Sequence, residues 1–212
     1  MTRRAAKGED GTERPVMLRS RHAEDTRNAV LAAARALFGA QGYAQTSMDE
    51  IAEAARVTKG AVYHHFAGKE ALFRAVYAEV EAHAQARAMG AGDPQKPPVD
   101  QLVAMMNAYL DAAIDPEIRR ITLIDGPTIV GEPDGTAEQT PAYVALRSFF
   151  AAAMARDQLI DLDPGKLADL VGGLAWVAGM LIARASEPEV TRTELGRALE
   201  AMFRGLAPGA RQ

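Results

Sequence analysis

Thr46 to Phe73 reads TSMDEIAEAARVTKGAVYHHFAGKEALF, and this stretch carries the strongest structural signal in the chain. Ser47 and Glu50 have the spacing of a capping box, in which each side chain bonds the backbone N–H of the other residue. A short helix is therefore predicted over 48–55. After a two-residue turn, Thr58 is a favourable N-cap for a second short helix. The stretch thus predicts two short helices joined by a tight turn, followed by the start of a third.

The second short helix presents small, basic and aromatic side chains on its outer face, namely Thr58, Lys59, Gly60, Tyr63 and His64. In a helix-turn-helix motif, the second helix enters the major groove of DNA and its N-terminal residues reach base edges. Lys59 can donate to guanine or to a phosphate, and Gly60 permits a close approach to the groove. The alternative is a pair of amphipathic helices packed inside a bundle, where such pairs are common.

Three further residues lie at positions suited to the DNA backbone. The hydroxyls of Thr46 and Ser47 flank the N-terminus of the first helix, whose free backbone N–H groups favour anions. Lys69, at the start of the third helix, is predicted to contact a second phosphate. The helix-turn-helix is therefore predicted over residues 47–66, with Thr46 and Lys69 as flanking phosphate contacts.

Composition indicates a helical protein with an uneven charge. The chain has 212 residues, of which 48% are hydrophobic and 6% aromatic. It has no cysteine, which excludes disulfides, thiolate zinc sites and a cysteine nucleophile. Residues 1–76 hold twelve basic and nine acidic residues, whereas residues 77–212 hold twelve and nineteen. This asymmetry permits nucleic-acid contact by the N-terminal part, although a solvated acidic domain explains it equally well.

The chain divides into three predicted parts. Residues 1–22 lack periodicity and an apolar core segment, so they are predicted to form a disordered arm rather than a secretory signal. Residues 23–83 form the helix-turn-helix domain, and residues 84–212 form a second helical domain after a Gly- and Pro-rich linker. The apolar run Leu170–Ala183 is too short for a membrane span, and a cytoplasmic protein is expected.

The fold class predicted from these patterns is all-α, with about nine helices and no convincing strand. Residues 125–141 are predicted to form a long loop. Helices are predicted over residues 24–39, 48–55, 58–65, 69–88, 99–113, 117–125, 141–157, 164–185 and 191–205.

Residues 25–77 resemble the DNA-binding domain of the TetR family of transcriptional regulators. The resemblance covers about a quarter of the chain and is carried by an ordered series of motifs. These are Phe38 before Gly42-Tyr43, then TSMDEIA at 46–52, ARVTKGAVYHHF at 55–66 and KEALF at 69–73.

The resemblance implies a homodimer, a C-terminal effector-binding and dimerisation domain, and repression relieved by a small molecule. It also implies that Thr58, Lys59, Gly60 and Tyr63 lie in the groove, with His64, Thr46 and Lys69 near phosphates. His65 and Phe66 are expected to be structural.

The second domain offers candidate residues for an effector and for a dimer interface. An effector pocket needs apolar walls and a few converging polar groups, although such residues are often simply core. The candidates are Met105, Met106, Tyr109, Asp125, Thr128, Trp176 and Met180. Glycines on the apolar helix Lys166–Ala185 would let another helix approach closely, so this helix and the segment 141–156 of each subunit are predicted to form a four-helix dimer core. Burial inside one subunit is the alternative. The candidates for the dimer interface are Phe149, Phe150, Gly172, Gly173 and Gly179.

Enzyme, metal and cofactor sites are not expected. Residues 126–131 have the spacing of a phosphate-binding loop, but Glu132-Pro133 stands where Lys-Ser or Lys-Thr is required. The four histidines do not have metal-ligand spacing. The sequence therefore predicts a DNA-binding regulator, most simply a repressor released from a palindromic operator by a small-molecule effector. The alternatives are a helical-bundle interaction protein, or an activator without effector-relieved repression.

Overall fold

A computed structural model describes residues 13–131 and 140–209, with side chains described from residue 22 onward. These residues are helical and contain no strand, which confirms the all-α class. The helices are α1 Glu13–Gln45, α2 Met48–Ala54, α3 Lys59–His65, α4 Lys69–Gly90, α5 Pro98–Ala112, α6 Pro116–Ile118, a π-helix Arg119–Asp125, α7 Gly126–Ile129, α8 Pro141–Met154, α9 Pro164–Arg184 and α10 Pro188–Arg204. With α6, the π-helix and α7 counted as one segment, the described residues hold nine helical segments, as predicted.

The first helix starts earlier than the sequence pattern indicates. It begins at Glu13, so the arm predicted over residues 1–22 is helical in its last part, while residues 1–12 lie outside the described residues. Pro15 is tolerated because it lies in the first turn, where a missing N–H breaks no helical hydrogen bond. Gly42 interrupts α1 near its end with φ 83° and ψ 169°, a conformation that favours glycine.

Helices α1 to α4 enclose the N-terminal core. Its fully buried members include Phe38, Ile51, Val62 and Phe73, so each of these four helices contributes a side chain. Phe38 and Tyr43 both pack their rings edge-on against Phe73. This packing joins the end of α1 to the start of α4.

The second core lies between α5, α8, α9 and α10. Leu110, Phe150, Ile182 and Phe203 are among its buried residues. Helix α9 is long and apolar enough to cross a membrane by length and composition alone. Within the described residues, however, it packs against α5, α8 and α10, as the core helix of a bundle does.

The predicted loop over 125–141 is wrong in its first part, because helix α7 continues through Ile129. Gly126-Pro127 looks like a helix breaker in the sequence. Pro127 lies in the first turn of α7, where it costs little. Gly126 is buried, and a Cβ there would lie 2.7 Å from the ring of Tyr77. Residues 132–139 of the predicted loop lie outside the described residues.

The π-helix joins the two cores. Ile121 is fully buried among residues of the N-terminal core, whereas Leu123, two residues later, is buried in the second core. Wide π-helical turns are rare and occur often at functional sites. A shift of this segment would therefore move side chains in both cores at once.

Candidate functional site

The helix-turn-helix has the caps that the sequence predicts. Ser47 Oγ accepts from the backbone N–H of Glu50 at 3.2 Å, and the Glu50 carboxylate accepts from the Ser47 N–H at 2.7 Å. The hydrogen bonds that the Glu50 carboxylate accepts from the Ser47 N–H and from the Ser47 hydroxyl lower the pKa of Glu50 below its ordinary value. Thr58 Oγ1 accepts from the Ala61 N–H at 3.2 Å. In the turn between them, Arg56 has φ 56°, a left-handed conformation that is uncommon outside glycine.

The outer face of α3 is open to solvent. Thr58, Lys59, Gly60 and His64 are exposed, and Tyr63 retains 48% of its accessible surface. A Cβ added at Gly60 would have no neighbour closer than 3.9 Å. An exposed tyrosine beside lysine and histidine on a helix is an arrangement that suits a groove-binding surface. The predicted groove residues therefore share one accessible face.

Lys59 is paired with an acidic residue of the same motif. Its Nζ lies 2.8 Å from Asp49 Oδ1, and the two side chains keep 57% and 68% of their surface. The hydrogen bond to Asp49 raises the pKa of Lys59 above its ordinary value. Exposed ion pairs of this kind contribute little to stability, so Lys59 can exchange Asp49 for a DNA acceptor.

The geometry of Thr46 and Lys69 favours structural roles over the predicted phosphate contacts. Thr46 is 1% exposed and its hydroxyl donates to the Gly42 carbonyl at 2.8 Å. Lys69 Nζ donates to the carbonyls of Tyr43 and Thr46, both at 2.9 Å, and lies 4.3 Å from the Tyr43 ring centroid. Both side chains stabilise the segment that joins α1 to α2. Gly42 interrupts the helix there, and the two side chains donate to the carbonyls of Gly42, Tyr43 and Thr46.

The residues expected to be structural are packed. Phe66 is 6% exposed, and the guanidinium of Arg27 lies 5.5 Å from its ring centroid. His65 is half-buried and contacts His64 edge-on. His64 therefore faces outward while its neighbour turns toward the protein.

A small cavity lies between α4, α5 and the segment of α6 and the π-helix. Its volume is about 10 Å³, and its lining includes Glu81, Tyr109, Thr122 and Leu123. Of the seven predicted effector residues, Tyr109 alone is among those that line this cavity. The sequence reasoning missed Glu81, although its position four residues after Tyr77 and three before Ala84 places it beside the apolar stripe of α4.

The other predicted effector residues lie elsewhere. Met106 and Met180 are buried in the second core, and Trp176 is half-buried at its edge. The terminal methyl carbon of Met105 approaches Gly92, at the start of the loop that follows α4. Thr128 is exposed on α7. These placements favour core or surface roles over a shared pocket for these five residues.

Asp125 belongs to a junction rather than to the cavity lining. Its Oδ2 accepts from the Tyr43 backbone N–H at 2.8 Å and from Arg120 Nε at 3.3 Å. Arg120 also donates to the Gln41 carbonyl at 3.3 Å. These contacts connect the π-helix to the end of α1, next to the first helix of the motif.

A second ion pair strengthens this junction. Arg35 of α1 donates to both carboxylate oxygens of Glu117, at 2.9 and 2.7 Å. The hydrogen bond to Glu117 raises the pKa of Arg35 above its ordinary value. No local sequence pattern indicates this pair, because its residues are far apart along the chain.

The predicted dimer residues divide into two groups. Gly172 and Gly173 are exposed, and a Cβ added at either would meet nothing within 4 Å. Phe150 is fully buried inside the subunit, and Phe149 is half-buried beside it. Gly179 is also buried inside, because a Cβ there would lie 3.3 Å from Leu123 and 3.6 Å from Tyr109. Assignment of Phe150 and Gly179 to an interface between subunits is therefore wrong.

Comparison with known proteins identifies both halves of the chain. A family model described as bacterial regulatory proteins, tetR family, matches residues 30–76. A second model, described as the C-terminal domain of tetracyclin repressor-like proteins, matches residues 99–206, about half of the chain. The two matches correspond to the two cores described above.

Curated relatives are similar over part of their length. The HTH-type transcriptional regulator AcrR of Shigella flexneri is 34% identical over 108 residues, which are 48% of this chain and 47% of AcrR. The regulator SrpR of Pseudomonas putida is 48% identical over 56 residues, 26% of each chain. The matches thus span about half or less of the length of these relatives.

Solved structures extend the likeness to nearly the whole chain. A TetR-family transcriptional regulator from Pectobacterium atrosepticum is 30% identical with a TM-score of 0.80, covering 88% of this chain and 96% of that one. AibR, solved in complex with isovaleryl coenzyme A and operator DNA, shares the fold at 23% identity and a TM-score of 0.55, covering 84% and 97%.

The families and relatives matched are regulators rather than enzymes, in agreement with the sequence prediction. Because one family model matches about half of the chain and a solved relative is matched over nearly its whole length, the chain belongs to the TetR family of transcriptional regulators.

Proposed function

We propose that this chain is a cytoplasmic homodimeric repressor that binds a palindromic operator and is released by a small-molecule effector. The observation that carries DNA binding is the accessible face of α3, with Lys59, Gly60 and Tyr63 at the position of a recognition helix. The capped α2 below it fixes this helix relative to the rest of the motif. The fold of AibR holds operator DNA together with a small ligand in that protein.

An apolar stripe on α9 supports the homodimer. Leu170, Val177 and Leu181 retain 66%, 48% and 51% of their surface, and their spacing places them on one side of the helix. Gly173 lies on the same side with open space in front of it. Apolar side chains on a shared helical face favour pairing with the same face of a second copy.

The connection between the two cores supports release by an effector. Helix α4 begins at Lys69, beside the helix-turn-helix, and ends at Gly90. Glu81, in its second half, lines the cavity, so one helix connects the motif to the cavity. A ligand that favours another position of this helix would change the separation of the two recognition helices. The dimer would then no longer match half-sites about 34–36 Å apart. Release is thus a shift between two populations of the dimer.

Substitution of the groove-facing side chains tests DNA binding. In Lys59→Ala with Tyr63→Ala, we expect operator affinity at fixed salt to fall at least about 10-fold, since each base or phosphate contact contributes roughly 1–3 kcal/mol. Lys96→Ala is the control, because it removes the same charge from an exposed loop position away from α3. Fluorescence anisotropy with the upstream region of the gene measures the affinity.

The double variant should keep the melting temperature of the wild-type protein, because both side chains are exposed. Unchanged operator affinity in the double variant would contradict the assignment of the α3 face. No binding of the wild-type protein to its upstream DNA would instead favour a helical-bundle interaction protein.

A further inference from the structure

Glu81 is the acidic group of the cavity and has an incomplete set of partners. Its Oε1 accepts from Gln85 Nε2 at 2.9 Å. Within the residues whose side chains are described, Glu81 has no ion pair and its Oε2 accepts no hydrogen bond. Burial raises the pKa of Glu81 above its ordinary value, with the Gln85 hydrogen bond acting in the opposite direction. A carboxylate held in this way gains most from a bound donor or cation.

Tyr109 supplies a second polar atom at the same place. Its hydroxyl makes no hydrogen bond with any residue in the described ranges, and burial raises its pKa above the ordinary value. Those ranges also contain no buried side-chain nitrogen or oxygen without a partner. The free oxygens of Tyr109 and Glu81 therefore keep accessible surface. The Tyr109 ring offers a face for a cation as well.

The remaining lining selects against an anion. Ala84, Ala112, Ala113, Ile118 and Leu123 are apolar, and the lining residues include no lysine or arginine. Thr122 uses its hydroxyl to donate to the Ile118 carbonyl at 2.7 Å. The nearby Arg119 donates both Nε and a terminal nitrogen to the Ala183 carbonyl, at 2.9 and 2.6 Å. No basic group is thus left facing this space among the lining residues.

The cavity must open to admit an organic molecule. Its volume of about 10 Å³ is close to the smallest space that holds one water molecule. Ile118, Thr122 and Leu123 form one wall, and they belong to the segment that carries Arg120 and Asp125 to the end of α1. A ligand that pushes this wall outward therefore acts directly on the contact with the DNA-binding part.

We propose that this cavity is an effector site for organic cations, in which Glu81 binds a protonated amine and the apolar wall and the Tyr109 ring receive an aromatic or aliphatic body. The ammonium group donates to the free Glu81 oxygen and lies against the Tyr109 ring. This assignment of a ligand class rests on the proposed function, because it names the effector of the same regulator. The proposal adds that the effector carries a positive charge, which does not follow from membership of the family.

Matched probes test the charge requirement on the full chain. Calorimetry would compare phenethylamine and tryptamine with their neutral analogues 2-phenylethanol and tryptophol, and with the anions 3-phenylpropanoate and indole-3-propanoate. We expect at least one amine to bind the wild-type protein about 10-fold more tightly than its alcohol, since a charge-assisted hydrogen bond distinguishes them. The anions should bind more weakly than either.

Glu81→Gln should remove the preference of the amine over the alcohol while the alcohol affinity stays within about twofold. Tyr109→Phe, which removes one hydroxyl, should weaken the amine less than Glu81→Gln does. Glu194→Gln on α10 is the control, because that glutamate is exposed and far along the chain from the cavity. Melting temperatures at or above that of the wild-type protein would show that both cavity variants fold.

Three outcomes would overturn the site. They are an amine preference that persists in Glu81→Gln, binding of the anions more tightly than the amines, and no amine binding at millimolar concentration. Operator release is measured separately by anisotropy. Glu81-dependent amine binding without release would leave the site standing and contradict the effector-released repressor. Release by an anion, unaffected by Glu81→Gln, would support the repressor and overturn the cation site.

Discussion

Single residues of the motif carry charges that oppose DNA as well as charges that attract it. Lys59 is held by Asp49 on α2, at 2.8 Å, and both side chains are largely exposed. Asp49 and Glu50 in the first turn stabilise α2 through its helix dipole. The same carboxylates lie beside the surface that would face phosphates. These two carboxylates therefore stabilise the seven-residue helix α2 but reduce the affinity of the motif for DNA phosphates.

Asp49→Asn should strengthen operator binding. The change frees Lys59 and removes one negative charge, and we expect roughly a threefold to tenfold gain in affinity at low salt that shrinks as salt rises. Glu53→Gln is the control, because it removes an equal charge from an exposed position on the same helix. Among the described residues, Lys59 pairs with Asp49 and not with Glu53. An equal gain in both variants, measured by anisotropy over a salt series, would show that the Lys59 pair has no special role.

Glu81 should make stability depend on pH. The folded protein raises the pKa of this carboxyl, so it binds the proton more tightly than the unfolded chain. Stability is therefore lost as pH rises from the ordinary glutamate pKa, about 4.3, through the raised value. Glu81→Gln should melt at a higher temperature than wild type near neutral pH, with the difference closing at about pH 4. A pH-independent difference would contradict the burial of a charged Glu81.

At the level of elements, the π-helix is where the two cores meet. Ile121 packs into the N-terminal core, Leu123 packs into the second, and Asp125 accepts from the Tyr43 N–H. Arg74 of α4 adds hydrogen bonds to the carbonyls of Ile129 and Val130 beyond this segment. The segment is thus fixed to α1 and α4, both of which lead to the helix-turn-helix.

Asp125→Ala should loosen the end of α1 locally. The Tyr43 N–H loses its acceptor, and we expect its hydrogen exchange to accelerate about 10-fold, which corresponds to about 1.4 kcal/mol. Asp111→Ala is a matched control, because its ion pair with Arg192 at 2.6 Å joins α5 to α10 and does not reach α1. Exchange at Tyr43 that is unchanged by Asp125→Ala would show that the junction contributes nothing to order at α1.

At the level of the whole molecule, the proposed function depends on a second copy of the chain. Leu170, Val177 and Leu181 give α9 an apolar face that one subunit leaves exposed. Gly173, on the same side of the helix, has open space in front of it for the close approach of another helix. A single recognition helix contacts one half-site, so an operator with two half-sites would be bound weakly by a monomer.

Leu170→Lys combined with Val177→Lys should convert the dimer to a monomer. Two charges on an apolar contact face are costly to bury, and we expect operator affinity to fall by at least about 10-fold with the loss of the second half-site. Met202→Lys is the control, since Met202 is an exposed apolar residue on α10, 56% accessible. Sedimentation equilibrium measures the oligomer. A dimer retained by the double variant would place the interface elsewhere.

The helical class and the helix-turn-helix with its Ser47 and Thr58 caps could be predicted from the sequence, because those features depend on residues three or four apart. The exposure of Lys59 and Tyr63 followed from the same periodicity. The burial of Thr46 and Gly179, the contact of Asp125 with the end of α1 and the position of Glu81 at a cavity become evident only in the folded chain. Several of these positions depend on segments far apart in the chain, such as Tyr43 and Asp125, which are 82 residues apart, and local patterns contain no information on which segments meet.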